Sequence, residues 1–191
     1  MNALIQQALT ATEPRRSFLG QAGLLLSGTA IALLSGREAL AARVAKAAES
    51  DLRILNTALG AELEAIAAYQ VDAESGLLQK PVRDLAVTFQ GHHRQHADLL
   101  AGTIGKLGGR PVGARESYSF PVDTLNNQTD VLRFAASLEK GAVSAYLGAI
   151  PLFGNRDLAK AAGSILGDEA MHWAILRNAV GDVPVPDAFV H

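Results

Sequence analysis

Apolar residues recur at intervals of three and four positions along four segments of the chain, which is the spacing of one face of an α-helix. The four segments run from about 48 to 74, 81 to 107, 129 to 151 and 156 to 180. Glycine or proline stands near their boundaries, as is usual at the ends of helices. The pattern therefore predicts an all-α protein built from four helices.

The lengths of the connecting segments predict how the helices are arranged. About six residues join the first helix to the second and about four join the third to the fourth, and such short links make antiparallel neighbours. Residues 108–127 lie between the second and third helices and are long enough to cross a bundle. This favours a ferritin-like four-helix bundle with a long crossover, over residues 48–181. The alternative is a simple up-down bundle with a floppy loop.

The N-terminal segment is predicted to be an export signal rather than part of the bundle. Arg15 and Arg16 precede a moderately apolar run, and Ala39-Leu40-Ala41 matches an A-x-A cleavage site. The run is too short and too rich in small residues for a lasting membrane span. Residues 1–41 are therefore assigned to the signal, with an uncleaved anchor as the alternative, and residues 182–191 to a C-terminal tail.

Composition narrows the chemistry that is open to the protein. The formal net charge is −2 and no basic stripe is present, which argues against a nucleic-acid partner. The chain contains no cysteine. Thiolate metal ligands, thiol catalysis and disulfides are therefore excluded.

A repeated pair of residues links the first and third helices. Glu62 is followed seven residues later by Tyr69, and Glu139 is followed seven residues later by Tyr146. The chain has only three tyrosines. The two tyrosines are interpreted as core residues with hydrogen-bonded hydroxyls, and the repeat indicates that the two helical hairpins have equivalent positions.

The second helix of each hairpin extends the repeat. His96 follows the first glutamate by 34 residues, and His172 follows the second by 33. Three residues earlier stand His93 and Glu169, respectively. Positions i and i+3 share a helix face, so each pair is predicted to point into the bundle.

A buried carboxylate is costly unless it is paired or bound to a metal. The repeat therefore predicts one metal site from all four helices, formed by Glu62, His93, His96, Glu139, Glu169 and His172. His92 is the alternative to His93, because it can chelate together with His96. It lies about 100° away around the helix, and the repeat favours His93.

The stretch "LEKGAVSAYLGAIPLFGN…ILGDEAMHWAILRNAVGDVPVPDAF" resembles bacterial ferritin-like proteins, near the group that includes desiccation-related proteins. The resemblance covers residues 50–189. "RRSFLG" resembles the twin-arginine export signal. That resemblance implies transport of the folded protein by the twin-arginine machinery to the periplasm or another exported location.

Di-iron members of this superfamily use one glutamate from each of two helices and a Glu-x-x-His pair from each of the other two. The resemblance assigns the single glutamates to Glu62 and Glu139, and an intact pair to Glu169 and His172. His93 stands where the other pair would carry its bridging glutamate. Two divalent ions would then leave a formal charge of +1, so a single ion is an alternative. Iron is the expected metal, with manganese or zinc as alternatives.

Two classes of function follow. The first is an exported metal-dependent oxidoreductase that handles dioxygen, peroxide or another small oxidant. The second is a non-catalytic metal-binding or stress-protective bundle, including one with an empty site. A homo-oligomer is compatible with either class.

Overall fold

The structure, a computed structural model, describes residues 29–190. This part of the chain contains α-helices, two single turns of 3-10 helix and no strand. The helices are α1 (Thr29–Glu74), α2 (Lys80–Lys106), α3 (Gln128–Ala149) and α4 (Arg156–Ala179). The predicted all-α class is confirmed.

The chain divides into two compact units, residues 1–43 and residues 44–191. The first unit is helical from Thr29 onward. Most of the predicted signal, residues 1–41, lies outside the described residues, and its assignment stays a prediction. Within the described part of the chain, no helix combines the length and the apolar character that a membrane crossing needs.

Two predicted boundaries differ from the structure. The first helix is already present at Thr29, the first described residue, rather than only from near residue 48, because the intervening stretch is rich in alanine, leucine and charged helix formers and has no proline to stop it. The third helix begins at Gln128 rather than near residue 129, and Asn127 caps it. The Asn127 side-chain oxygen accepts a hydrogen bond from the backbone N–H of Asp130 at 3.1 Å. Asn155 caps α4, and its side-chain oxygen accepts a hydrogen bond from the backbone N–H of Asp157 at 2.8 Å.

Contacts of α1 with α3 show that these two helices are antiparallel. Tyr146, late in α3, reaches Glu62, whereas Glu139, earlier in α3, is reached by Tyr69, later in α1. Contacts that pair the earlier residue of one helix with the later residue of the other arise only when the two helices run in opposite directions.

The same reasoning fixes the direction of α2. His93 meets Glu62, and Gln90, earlier in α2, meets Gln70, later in α1. Helices α2 and α3 are both antiparallel to α1 and therefore parallel to each other. Residues 107–127 make the long crossover between them, with a 3-10 turn at Val122–Thr124. The predicted ferritin-like topology is confirmed.

A polar layer interrupts the apolar core of the bundle. One apolar cluster on one side includes Leu55, Leu59, Leu100, Ile104, Leu158 and Ile165. The cluster on the other side is formed by Tyr69, Ala86, Phe89, Leu132, Ala135 and Leu176. The buried residues Glu62, His93, Glu139, Glu169 and His172 fall between these two sets, so the layer is shielded from solvent along the bundle axis.

The internal repeat extends to the ends of the hairpins and holds them in register. The carboxylate of Asp51 accepts a hydrogen bond from the backbone N–H of Asn155 at 3.0 Å. The side-chain oxygen of Gln128 accepts one from the backbone N–H of Gln79 at 2.9 Å. Asn155 and Gln79 are the N-cap positions of α4 and α2. Each hairpin therefore anchors the second helix of the other, which aligns the residues of the polar layer.

Candidate metal centre

All six predicted residues meet in the polar layer, and every helix of the bundle contributes at least one. They are Glu62 from α1, His93 and His96 from α2, Glu139 from α3, and Glu169 and His172 from α4. Five are at most 3% exposed, and the side chain of His96 is 13% exposed. Their convergence follows from the repeat, whereas their role as metal ligands stays a prediction.

The six residues form two groups of four donors. One group is Glu62, His93, His96 and Glu169, and the other is His93, Glu139, Glu169 and His172. Within each group the donor atoms lie within 4.8 Å of one another. Because His93 and Glu169 belong to both groups, the layer offers two neighbouring positions for a cation, and these two residues line both of them.

His93 lies at the middle of this arrangement. Its Nδ1 is 2.8 Å from Oε2 of Glu62, and its Nε2 is 3.3 Å from Oε1 of Glu139. The two ring nitrogens thus face the terminal glutamates of the two groups. His92 belongs to neither group, as the repeat predicts.

The donor set suits a cation. Among the described residues, five buried atoms of the layer have no hydrogen-bond partner: His96 Nδ1, Glu139 Oε2, both carboxylate oxygens of Glu169, and His172 Nδ1. The His96 nitrogen lies 3.0 Å from Glu169 Oε1, but not in the direction of a hydrogen bond. A buried polar atom without a partner costs about 1–3 kcal/mol. Imidazole nitrogens and carboxylate oxygens are common ligands of iron, manganese and zinc, so a cation would satisfy these atoms.

Each terminal glutamate is held by a tyrosine from the other hairpin. The Tyr146 hydroxyl donates to Oε1 of Glu62 at 2.6 Å, and the Tyr69 hydroxyl donates to Oε1 of Glu139. Burial, together with the nearby glutamate charge, raises the pKa of both tyrosines. Both hydroxyls therefore keep their protons and act as donors. The predicted role as core residues with hydrogen-bonded hydroxyls is confirmed.

In the absence of a cation, protons balance the charge of the layer. Burial lowers the pKa of His93, but hydrogen bonds with Glu139 and Glu62 outweigh it and raise the pKa to about 10. Burial also lowers the pKa of His96 and of His172. Contacts with carboxylates outweigh this effect and raise both pKa values to about 9. Three imidazolium groups therefore face the carboxyl groups of the layer at neutral pH.

The carboxylates respond to the same contacts. Burial raises the pKa of Glu62 and Glu139, but contacts with the imidazoles lower both overall. Burial dominates at Glu169 and raises its pKa. Glu62 and Glu139 are therefore the carboxylates that stay ionised over the widest pH range.

Sequence reasoning missed Asp168. Its Oδ2 lies 3.4 Å from Nε2 of His96 and 3.2 Å from Nε2 of His172, and it is 3.1 Å from Nδ1 of His92. His96 and His172 thus turn Nδ1 toward the buried centre and Nε2 toward one carboxylate. The signal was present in the chain, because Asp168 and His172 are i and i+4 on one helix face.

Phe89 also restrains one of the predicted ligands. Its ring stacks on that of His172 with centroids 4.0 Å apart and an interplanar angle of 22°. The contact restrains the orientation of the imidazole, so that Nδ1 remains turned toward the centre.

A cavity between α1 and α3 reaches the centre from the side of the glutamates. It has a volume of about 180 Å³, and Glu62, His93 and Glu139 line its inner part. Small residues form much of its remaining wall: Ala61, Ala65, Gly141, Ala142 and Ala145. A molecule the size of dioxygen, peroxide or water fits this space.

A four-helix bundle with one long crossover and a buried carboxylate–imidazole layer defines the class of protein. The chain belongs to the ferritin-like domain family, whose sequence profile matches residues 50–182. No curated protein matches the chain at a significant level.

Two solved structures share the fold. A conserved hypothetical protein from Mycobacterium tuberculosis superposes with a TM-score of 0.65 at 22% identity, covering 75% of this chain and 99% of that one. A ferritin-like, diiron-carboxylate protein from Bacillus anthracis str. Ames superposes with a TM-score of 0.61 at 19% identity, covering 70% of this chain and 97% of that one. At these identities the likeness establishes the fold alone.

Proposed function

We propose that this protein binds one or two metal ions in the polar layer, with iron as the expected metal and manganese or zinc as alternatives. The observation that carries the proposal is the pair of four-donor groups that share His93 and Glu169. The buried atoms without hydrogen-bond partners support it, because they belong to these same groups.

The donors divide naturally between two positions. Glu62 and His96 would serve one ion, Glu139 and His172 the other, and Glu169 would serve both. A neutral imidazole offers a single lone pair, so His93 would serve one ion at a time. This makes a single bound ion the alternative occupancy, with either group supplying its ligands.

The proposed activity is that of an oxidoreductase acting on dioxygen, peroxide or a similar small oxidant. Redox-active metal ions, when bound, would supply the electron transfer. The cavity between α1 and α3 supports this activity, because it reaches Glu62, His93 and Glu139 and is lined by small side chains. Tyr69 and Tyr146 hold the two terminal glutamates in place, and the imidazoles store protons beside the cavity.

A non-catalytic, stress-protective bundle is the second candidate. His93 favours it, since an imidazole replaces the bridging carboxylate of the resembled di-iron pattern. The three imidazolium groups also balance the three carboxylates without any metal.

Metal analysis tests the proposal. We expect the full chain, titrated anaerobically with Fe²⁺, to bind one or two ions tightly, and an anomalous-scattering map to place them beside Glu169. Glu169→Gln should weaken binding at both positions. Glu64→Gln is the matched control, because Glu64 lies on α1 with 43% of its side chain exposed and outside both groups. Equal binding by both variants would contradict the proposal, as would an anomalous-scattering map without an ion beside Glu169.

We also propose that the protein is exported by the twin-arginine pathway and acts in the periplasm, close to the desiccation-related group. Arg15, Arg16 and the Ala39-Leu40-Ala41 motif support this. Replacing both arginines, Arg15→Lys with Arg16→Lys, should abolish export, measured by cell fractionation. Normal accumulation of the double variant outside the cytoplasm would disprove the assignment.

A further inference from the structure

His172 presents its two ring nitrogens to two different sets of donors. Its Nδ1 faces the buried centre, 3.4 Å from Glu139 Oε1 and 3.4 Å from Glu169 Oε2. Its Nε2 faces outward, 2.8 Å from His92 Nδ1 and 3.2 Å from Asp168 Oδ2. One imidazole therefore connects the buried layer with a second cluster.

The second cluster, formed by His92, Asp168 and the outer nitrogen of His172, has the composition and spacing of a cation site. His92 Nδ1 and Asp168 Oδ2 are 3.1 Å apart. The three donor separations match the edge of an octahedral coordination polyhedron, which is roughly 2.8–3.3 Å for bonds of about 2.0–2.3 Å. The His92 and Asp168 side chains are 37% and 24% exposed, so solvent reaches this cluster.

We infer that His92, Asp168 and His172 form an outer divalent-cation site, at which ions dock before they move into the buried centre. The inference rests on the proposed function, because it assigns the route by which that centre is loaded. It adds His92 and Asp168, which belong to neither buried group.

The internal repeat explains why this site lies beside the centre. His92 and Asp168 each precede the first residue of an inward-facing pair, on α2 and α4 respectively. They therefore meet where these two helices face each other. The two ring nitrogens of His96 also face different groups: Nε2 is 3.4 Å from Asp168 Oδ2, and Nδ1 is 3.0 Å from Glu169 Oε1. An ion can thus exchange outer donors for inner ones over a short path.

A change of tautomer accompanies the transfer. When an outer ion occupies Nε2 of His172, the ring proton sits on Nδ1, which faces Glu139 and Glu169. When an ion occupies Nδ1, the proton sits on Nε2, which faces Asp168. As the ion moves inward, the proton on Nδ1 leaves to solvent through the cavity that Glu139 lines, and Nε2 gains one from solvent through Asp168. His172 therefore serves one ion at a time.

The rate of Co²⁺ binding to the full chain tests this assignment. In stopped-flow absorbance measurements, His92→Ala and Asp168→Asn should load the buried centre about tenfold more slowly than the parent. Both should reach the same final number of buried ions. Gln95→Ala is the matched control, because Gln95 is an exposed neighbour on α2, and it should load at the parent rate. In crystals of the parent soaked with Co²⁺ for increasing times, an ion should appear at His92 before the inner position at Nδ1 of His172 fills, and none should appear there in His92→Ala.

The outcomes separate the two proposals. Failure of every protein to bind buried Co²⁺ would overturn the proposed function. Normal final binding with equal rates in the parent and His92→Ala, and no outer ion, would overturn only the outer site. Slower loading in Asp168→Asn alone would also overturn it, and would leave Asp168 as a residue that orients the two histidines.

Discussion

Replacing His93 with glutamate should raise the iron content of the buried centre to two ions per chain and confer faster oxygen-dependent iron oxidation. The parent offers three carboxylates, so two divalent ions leave a formal charge of +1. His93→Glu brings that charge to zero and adds a ligand that can bridge both ions. The residue already faces Glu62 with one ring nitrogen and Glu139 with the other, so a carboxylate there lies between the two positions.

The same substitution should destabilise the cation-free protein. His93 is 1% exposed and carries a proton, since its pKa is raised to about 10. His93→Glu replaces that positive charge with a fourth carboxylate. Removing one partner of a buried ion pair costs about 3–5 kcal/mol, and thermal melts should show the loss without metal and its recovery with Fe²⁺.

Two variants serve as controls for the His93→Glu experiment. His92→Glu should not raise the number of buried ions, because His92 faces Asp168 and belongs to neither buried group. His93→Ala should weaken metal binding by roughly tenfold to a hundredfold, by analogy with the losses seen on changing residues behind metal ligands. The measurements are anaerobic Fe²⁺ titration followed by exposure to oxygen. Equal stoichiometry and affinity in the parent and all three variants would show that His93 is not a ligand.

The repeat allowed much of the centre to be predicted, because helical geometry is local. Residues three apart share a face whatever the helix packs against, and this placed His93 with His96 and Glu169 with His172. Short and long loops then predicted the topology. The choice of His93 over His92 also followed, because an imidazole one position earlier is rotated by about 100°.

The features that depend on packing between helices could not be predicted in the same way. The crossed hydrogen bonds of Tyr69 with Glu139 and of Tyr146 with Glu62 require the register of α1 against α3. The contacts of Asp168 with both inward histidines require the register of α2 against α4. The extension of α1 toward the N-terminus was missed for another reason. Residues 1–41 were assigned to a signal, so the first helix was predicted only beyond the cleavage site, although no proline separates the two segments.

Metal affinity should rise steeply with pH, and this is the second large effect that we expect. Cations compete with protons for His93, His96 and His172, whose pKa values are raised to about 10, 9 and 9. Loading two ions should therefore release about three protons between pH 6 and 8. Each released proton is worth a tenfold change per pH unit, so the product of the two binding constants should rise by about a thousandfold per unit.

The stability of the cation-free protein should move in the opposite direction. Unfolded histidine has a pKa of about 6.5, so above that pH the folded state holds more protons than the unfolded state. Its free energy of unfolding therefore falls as pH rises through 9 to 10. Glu62 and Glu139 determine how stability changes at acid pH. Their pKa values are lowered in the folded protein, so the stability that they contribute is lost as pH falls below about 4.5. The cation-free protein should be most stable between about pH 4.5 and 6.5, the pKa values of these glutamates and histidines in the unfolded chain.

Zn²⁺ binding isotherms at several pH values between 5.5 and 8, with thermal melts of the cation-free and loaded protein, measure both trends. The gap between the two melting temperatures should widen as pH rises, because the cation-free protein loses proton-dependent stability while the affinity for metal increases. His93→Gln removes one titrating imidazole and should reduce the number of released protons by about one. If the affinity stays constant across this pH range, the cation does not displace protons from the imidazoles, and the ligand assignment is wrong.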